Sequence, residues 1–204
     1  MKKLSAIILI VLFCVSLVFA GGEKEDGGVA PIRIGATLPL TGGLASGGKA
    51  DQLAWDICLE DWNAKGGVLG RPVELILYDD HSNASEVPGL LTKLITVDKV
   101  DFIMGTYATP GIVAGIPIAM EHEMVFFGNG GLAPNKDFDY KYFFDFWPLG
   151  SQGIEGTVSL CFEAIINAGN PNSKIAVCGV DNEYGATIQA AVEKIADARG
   201  MEIV

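Results

Sequence analysis

The sequence predicts an α/β chain, a parallel sheet flanked by helices. Two observations carry this. Short apolar runs near residues 32–38, 73–78, 102–104 and 124–127 alternate with longer helical patterns, and the order β-α-β-α-β-α-β is met by parallel strands with helical crossovers. Each run also stops at small, polar or proline residues, which leaves the carboxyl ends of the strands open, where such sheets bind ligands.

Ahead of the first strand, Lys2 and Lys3 precede an unbroken apolar stretch over 4–19, and Val18-Phe19-Ala20 places small residues where a signal peptidase reads them. Residues 1–20 are therefore expected to be a cleaved secretory leader, with 21–29 a polar, glycine-rich linker and Gly21 the mature N-terminus. A retained anchor is the alternative, for which the stretch falls short of the roughly 20 apolar residues of a span. Cys14 offers a lipid-attachment site, but Phe13 stands where such sites need a small residue and the apolar core runs on past it. Export to the periplasm or another extracytoplasmic space follows.

The 204 residues suffice for one or two domains with a sizeable core. Loss of the two leader lysines takes the formal charge from −11 to −13, a surface that repels phosphate backbones and excludes nucleic acid as a partner. Three cysteines remain, Cys58, Cys161 and Cys178, an odd number that leaves at least one unpaired. Their positions in helical and strand patterns predict small buried apolar residues.

The first strand, 32–38, turns at Pro39-Leu40-Thr41-Gly42-Gly43. Residues 43–49, GLASGGK, match the opening of a phosphate loop, but Ala50 stands where that motif needs a hydroxyl for magnesium. Nucleotide binding is rejected. A helix over about 49–64 shows Ala50, Leu53, Ala54, Ile57 and Cys58 on one face, the expected core side, and ends at Gly66-Gly67. Asp51, Asp56, Glu60 and Asp61 scatter around it as a solvated face. The second strand closes at Asp79-Asp80-His81. His122 is the only other histidine, so neither a zinc site nor a histidine-based catalytic group is supported. A further helix over about 86–98 carries Val87, Leu91, Leu94 and Ile95 inward and accepts Pro88 in its first turn.

Residues 101–134 organise the chain. Phe102 to Met104 form a strand, Thr109-Pro110 open a helix with Thr109 as the expected N-cap, and Pro117 lies within it. The Thr109 hydroxyl and the free amides of that helix would share one space, suited to a carboxylate. After the strand at 124–127, the bare backbone of Gly128 to Gly131 allows close approach of a ligand. The ligand site is thus expected at Tyr107, Ala108, Thr109, Gly130, Gly131 and Leu132. No catalytic arrangement, metal spacing or cofactor motif accompanies it, and an enzyme is not expected.

The aromatic stretch 136–149 reads as a strand at 142–146 crossing towards a second unit. There Ile154, Val158, Cys161, Phe162 and Ile165 share a helical face, 174–180 reads as a strand, Ile188, Ala191, Val192 and Ile195 mark another helix, and 201–204 begin a strand. That is too little to close a covered sheet, so 150–204 reads as the start of an incomplete domain and the chain as a fragment.

The ordered set Ile32-Arg-Ile-Gly-Ala-Thr-Leu-Pro-Leu-Thr-Gly, Asn63-Ala-Lys-Gly-Gly-Val-Leu-Gly, Tyr78-Asp-Asp, Asp101-Phe-Ile-Met-Gly, Ser151-Gln-Gly and Tyr184-Gly resembles the leucine/isoleucine/valine-binding family of periplasmic receptors. The resemblance implies a type I periplasmic binding fold, with 30–149 the N-terminal ligand-binding lobe and 150–204 the beginning of the second. It also implies capture of a small amino-acid-like, amide or carboxylate ligand between lobes for an ABC permease in the inner membrane; a sensing receptor ectodomain is the alternative. In that family the residue at Thr109 binds the ligand carboxylate, backbone at Gly130 helps bind the ammonium, and Tyr184 lies at the edge of the second lobe. A hydroxyl residue usually stands at Leu132 and an aromatic near Gly47, so their absence opens the choice beyond standard amino acids.

Overall fold

The computed structural model describes residues 29–132, 134–146 and 153–204. The expected leader with its cleavage position and Cys14, together with Trp147, Pro148 and Ser151, lies outside these residues. Among the described residues no helix is long and apolar enough to cross a membrane.

Strands β1 (Ile32–Leu38), β2 (Val73–Asp79), β3 (Phe102–Tyr107), β4 (Phe126–Asn129) and β5 (Phe143–Asp145) form one sheet in the order β2-β1-β3-β4-β5. Every pairing is parallel. The chain turns one way from β1 to β2 and the other way from β3 onwards, so the crevice where ligands gather in such sheets falls outside the ends of β1 and β3. β1 is buried without interruption from Ile34 to Leu38, as a central parallel strand covered on both faces must be.

The helices are α1 (Ala45–Ala64), α2 (Val87–Thr96), α3 (Thr109–Glu121), α4 (Gly153–Asn167) and α5 (Glu183–Arg199). α2 buries Val87, Leu91 and Leu94, one stripe at helical spacing, against α3 and the sheet. α3 comes close because it carries glycine: a Cβ on Gly115 would stand 2.8 Å from Leu91 Cδ1 and 3.1 Å from Phe126 Cε1. Leu91, Leu94, Ile103, Ile112, Ile116 and Phe126 are fully buried here, each side chain contributing about 1.5–3 kcal/mol. Pro31–Val204 hold together as one unit, within which a second hydrophobic cluster joins Val158 and Phe162 of α4 to Ala191 and Ala196 of α5 and to Met201.

Five expectations need correction. The α1 face read as core is exposed, with Leu53 at 62% and Ile57 at 59%. The helix begins at Ala45, four residues early, and docks through Gly48, Asp51 and Trp55. A Cβ on Gly48 would lie 2.3 Å from Pro39 O, and Trp55 reaches across to bare Gly105. Close glycine contact turns the helix away from its aliphatic stripe. For Cys58 the exposure follows directly; Cys161 and Cys178 are exposed too, Cys161 because α4 turns Val158 and Phe162 inward instead.

The run at 174–180 is not a strand: one isolated parallel bridge, Ile175 to Ile203, and the Lys174 to Glu202 ion pair at 2.9 Å link it to 201–204. The aromatic stretch does not leave the first sheet, because Phe143–Asp145 pairs with β4 and Phe143 packs edge-on to Phe126 at 5.5 Å. Finally, Thr109 is not the N-cap of α3. That position is Ala108, which makes no side-chain cap bond, and the Thr109 hydroxyl is engaged elsewhere.

Candidate functional site

The site is built where β3 and β4 end. Ala108, with φ at +67°, turns the chain sharply out of β3, and its amide donates to Asn129 O at 3.0 Å, tying the two strand ends together. Thr109 follows at 1% exposure, and its Oγ1 accepts the Leu132 amide proton at 2.9 Å. That bond closes the Gly130-Gly131-Leu132 turn over the N-terminus of α3. Gly131 is tightly enclosed, since a Cβ there would meet Pro134 Cγ at 2.7 Å and Ile112 Cδ1 at 2.9 Å. Tyr107 reaches the first turn of α1, where bare Gly47 admits it: a Cβ on Gly47 would lie 2.6 Å from the phenol oxygen.

Tyr107, Ala108, Thr109, Gly130, Gly131 and Leu132 therefore converge, as their spacing predicts. They do not open into one space. Thr109 and Leu132 line a cavity of about 650 Å³ that continues to Glu183, Thr187 and Lys194 of α5 and to Ile154 and Glu155 of α4. Its wall is largely apolar, through Val113, Pro134, Phe138 and Ala191, and its fixed charges include the Lys194 to Glu155 ion pair at 2.7 Å. Tyr107 and Ala108 line a separate cavity of about 70 Å³. Tyr184 is 42% exposed and faces a third, of about 630 Å³, beside Asp181 and Asn182. The structure thus separates Tyr184 from Thr109.

Sequence reasoning missed the clasp beneath these residues. Asp79 accepts the amides of Leu40 at 2.9 Å, Thr41 at 3.2 Å and His81 at 2.8 Å and the Thr41 hydroxyl at 2.7 Å. Desolvation pushes its carboxyl up, but these bonds outweigh it and its pKa is lowered. Asp80 is 4% exposed, and burial pushes its pKa up to about 6 against the Ser82 amide, with Asp79 adding repulsion. The neighbouring Thr37 hydroxyl falls outside hydrogen-bond geometry but still favours the charged form, as does His81. Asn129 Nδ2 donates to Asp51 at 2.6 Å, joining β4 to α1, and burial raises Asp51 more than that bond lowers it. The Asp79-Asp80 pair after a strand was the available signal for the clasp, and nothing local foretold Asn129 to Asp51.

This geometry suits binding rather than bond making. A helix N-terminus beside a largely apolar cavity, rimmed by Lys136, Asp137, Glu155, Glu183 and Lys194, can hold a small molecule with an anionic end. Among the described residues no group of three or more His, Cys, Asp or Glu could hold a metal ion.

Comparison with known proteins agrees in kind. The Leu/Ile/Val-binding protein homolog 8 of Brucella abortus is 24% identical over 180 residues, covering 86% of this chain and 44% of its own. The branched-chain amino acid transporter substrate-binding protein LivJ of Streptococcus pneumoniae, solved with isoleucine, superposes with a TM-score of 0.70 at 19% identity, over 80% of this chain and 46% of its own. A solute-binding protein of an ABC transporter from Rhodopseudomonas palustris, solved with 3,4-dihydroxybenzoic acid, gives 0.69 at 24% identity, over 86% and 46%. The chain spans about half the length of these relatives. Their shared architecture is the type I periplasmic binding fold, a parallel sheet flanked by helices. The family described as periplasmic binding protein matches residues 31–204, so the chain belongs to the periplasmic binding proteins, a family of substrate-binding rather than catalytic proteins.

Proposed function

We propose that the chain is the ligand-capturing part of an extracytoplasmic solute-binding component of an ABC transporter. It takes a small amino-acid-like or carboxylate ligand and delivers it to a permease in the inner membrane. Residues 30–149 act as the ligand-binding lobe, 150–204 begin a second, and 1–20 direct export.

The observation that carries this reading is the Thr109 to Leu132 bond at 2.9 Å beside a cavity of about 650 Å³. It holds Thr109, at the start of α3, and Leu132, at the end of the glycine turn, against one largely apolar space, which supports recognition of an anionic head with an apolar body. Relatives solved with isoleucine and with 3,4-dihydroxybenzoic acid share that chemistry. Leu132 replaces a hydroxyl with an apolar wall, which favours a ligand richer in apolar surface than in polar groups. Calorimetric titration with leucine, isoleucine, valine, benzoate and 3,4-dihydroxybenzoate tests the reading. Binding of at least one ligand, weakened by Thr109→Val, is expected; no heat from any, or equal affinity in the variant, overturns it.

A further inference from the structure

The two faces of the sheet are covered unequally. α1 carries the chain from β1 to β2, whereas α2 and α3 carry it the opposite way, from β2 to β3 and on to β4. Right-handed crossovers in opposite directions lie on opposite faces, so α2 and α3 share one face and α1 is the only crossover helix on the other among the described residues. Strand alternation agrees. Ile103, Phe126 and Phe143 pack with α2 and α3, so Phe102, Phe127 and Phe144 point to the α1 face. There the three rings form a row across β3, β4 and β5, with centroids 5.8 and 5.3 Å apart. The row is left bare: Phe144 is 50% exposed and Phe146, just beyond the strand, 51%.

α1 carries the matching surplus. Ala50, Leu53, Ala54, Ile57 and Cys58 form one helical stripe, and all five are exposed because Gly48, Asp51 and Trp55 take the inner side of the helix. Parallel sheets occur with both faces covered by helices, so a bare aromatic floor and a bare aliphatic helix on one chain complement each other. They cannot meet within that chain, since the stripe faces away from its own sheet. We propose that two copies of the chain associate about a two-fold axis, each laying the outer stripe of its α1 on the Phe102, Phe127 and Phe144 floor of the other.

The arrangement is self-complementary and closes at two copies. Two sheets enclose one layer of two α1 helices, each touching its own sheet through Gly48 and Trp55 and the other copy's through Leu53 and Ile57. The dimensions fit. Three strands about 4.8 Å apart make a floor about 10 Å across, the width of one helix. A helix of 20 residues is about 30 Å long, so each contact covers about 300 Å² on either side and the two contacts bury about 1,200 Å² in total. That is the lower end of what specific interfaces bury, which sets a dimer of micromolar affinity or weaker and leaves the chain monomeric in dilute solution. The pairing is independent of the ligand capture proposed above.

The test is sedimentation velocity of the purified protein from about 1 to 200 µM, the range in which an interface of this size associates. The weight-average mass should climb towards twice that of the chain. Ile57→Lys and Phe144→Asp each place a charge at an exposed position, so the fold is kept. Each variant damages both contacts of its own dimer, and association should weaken by about tenfold or more. Mixing the two variants should restore association, because the mixed pair keeps one unaltered contact and sets Lys against Asp in the other. A parent that stays monomeric at the top of the range, as it would if another segment of a longer chain or a different protein covered the floor, overturns the proposal. So does a dimer that both variants leave intact, or a mixture no more associated than its components.

Discussion

Replacing Thr109 with valine isolates the bond on which the site geometry rests. The side chain is 1% exposed, and its oxygen accepts the Leu132 amide at 2.9 Å beside Ile112, itself fully buried. Valine keeps the branched shape, so no cavity opens; what is lost is the acceptor. A buried donor left unsatisfied costs about 1–3 kcal/mol, and for a chain of this size each kcal/mol lowers the midpoint by about 2–4 °C. Thermal unfolding should therefore move down by roughly 2–12 °C. Hydrogen exchange at the Leu132 amide should accelerate by about tenfold to a hundredfold in step. Thr109→Ser keeps the oxygen and should retain Leu132 protection, losing only about 0.8 kcal/mol for its methyl. If Thr109→Val melts with the parent and Leu132 exchanges as slowly, the bond does not hold the turn and the argument fails.

Three other substitutions probe neighbouring features. Asp80, with a carboxyl near 6 when folded against 3.8 unfolded, stabilises the fold below pH 4 and loses that contribution as pH rises through 6; denaturant titrations should show the parent losing roughly 1–3 kcal/mol over that window relative to Asp80→Asn. Gly48→Ala drives a Cβ to 2.3 Å from the Pro39 carbonyl, and loss of α1 docking should lower stability by about 1–3 kcal/mol, measured by urea unfolding. Leu53→Gln, on the exposed stripe of α1, should change stability by no more than about 0.5 kcal/mol; a loss of 2 kcal/mol or more in the same assay would restore the stripe to the core.

Much of this architecture was legible because parallel β-α-β order leaves few alternatives. The convergence of Thr109 with Gly130 and Leu132 was legible too, since both segments follow strands that lie side by side. The packing face of α1 was not. Its contacts come from Gly48, Asp51 and Trp55, a mixture of bare backbone, acid and indole that no apolar periodicity reveals, while the aliphatic stripe points to solvent. Thr109 was misplaced by one position because Ala108 takes a positive φ that alanine seldom adopts. The Asp80 environment depends on the end of β2 meeting Thr37 of β1, far apart in sequence. The strand expected at 174–180 reduces to one bridge, because the apolar pattern alone does not supply a pairing partner.

The central claim is that the α3 N-terminus and the Gly130 to Leu132 turn receive the carboxylate of the ligand. Amide chemical shifts recorded while leucine and then benzoate are titrated into ¹⁵N-labelled protein test it most directly. The account predicts saturable shifts at Thr109, Gly130, Gly131 and Leu132 for at least one of the two, absent with the corresponding amide or alcohol; shifts confined to other residues, or equal shifts with the uncharged analogues, would contradict it.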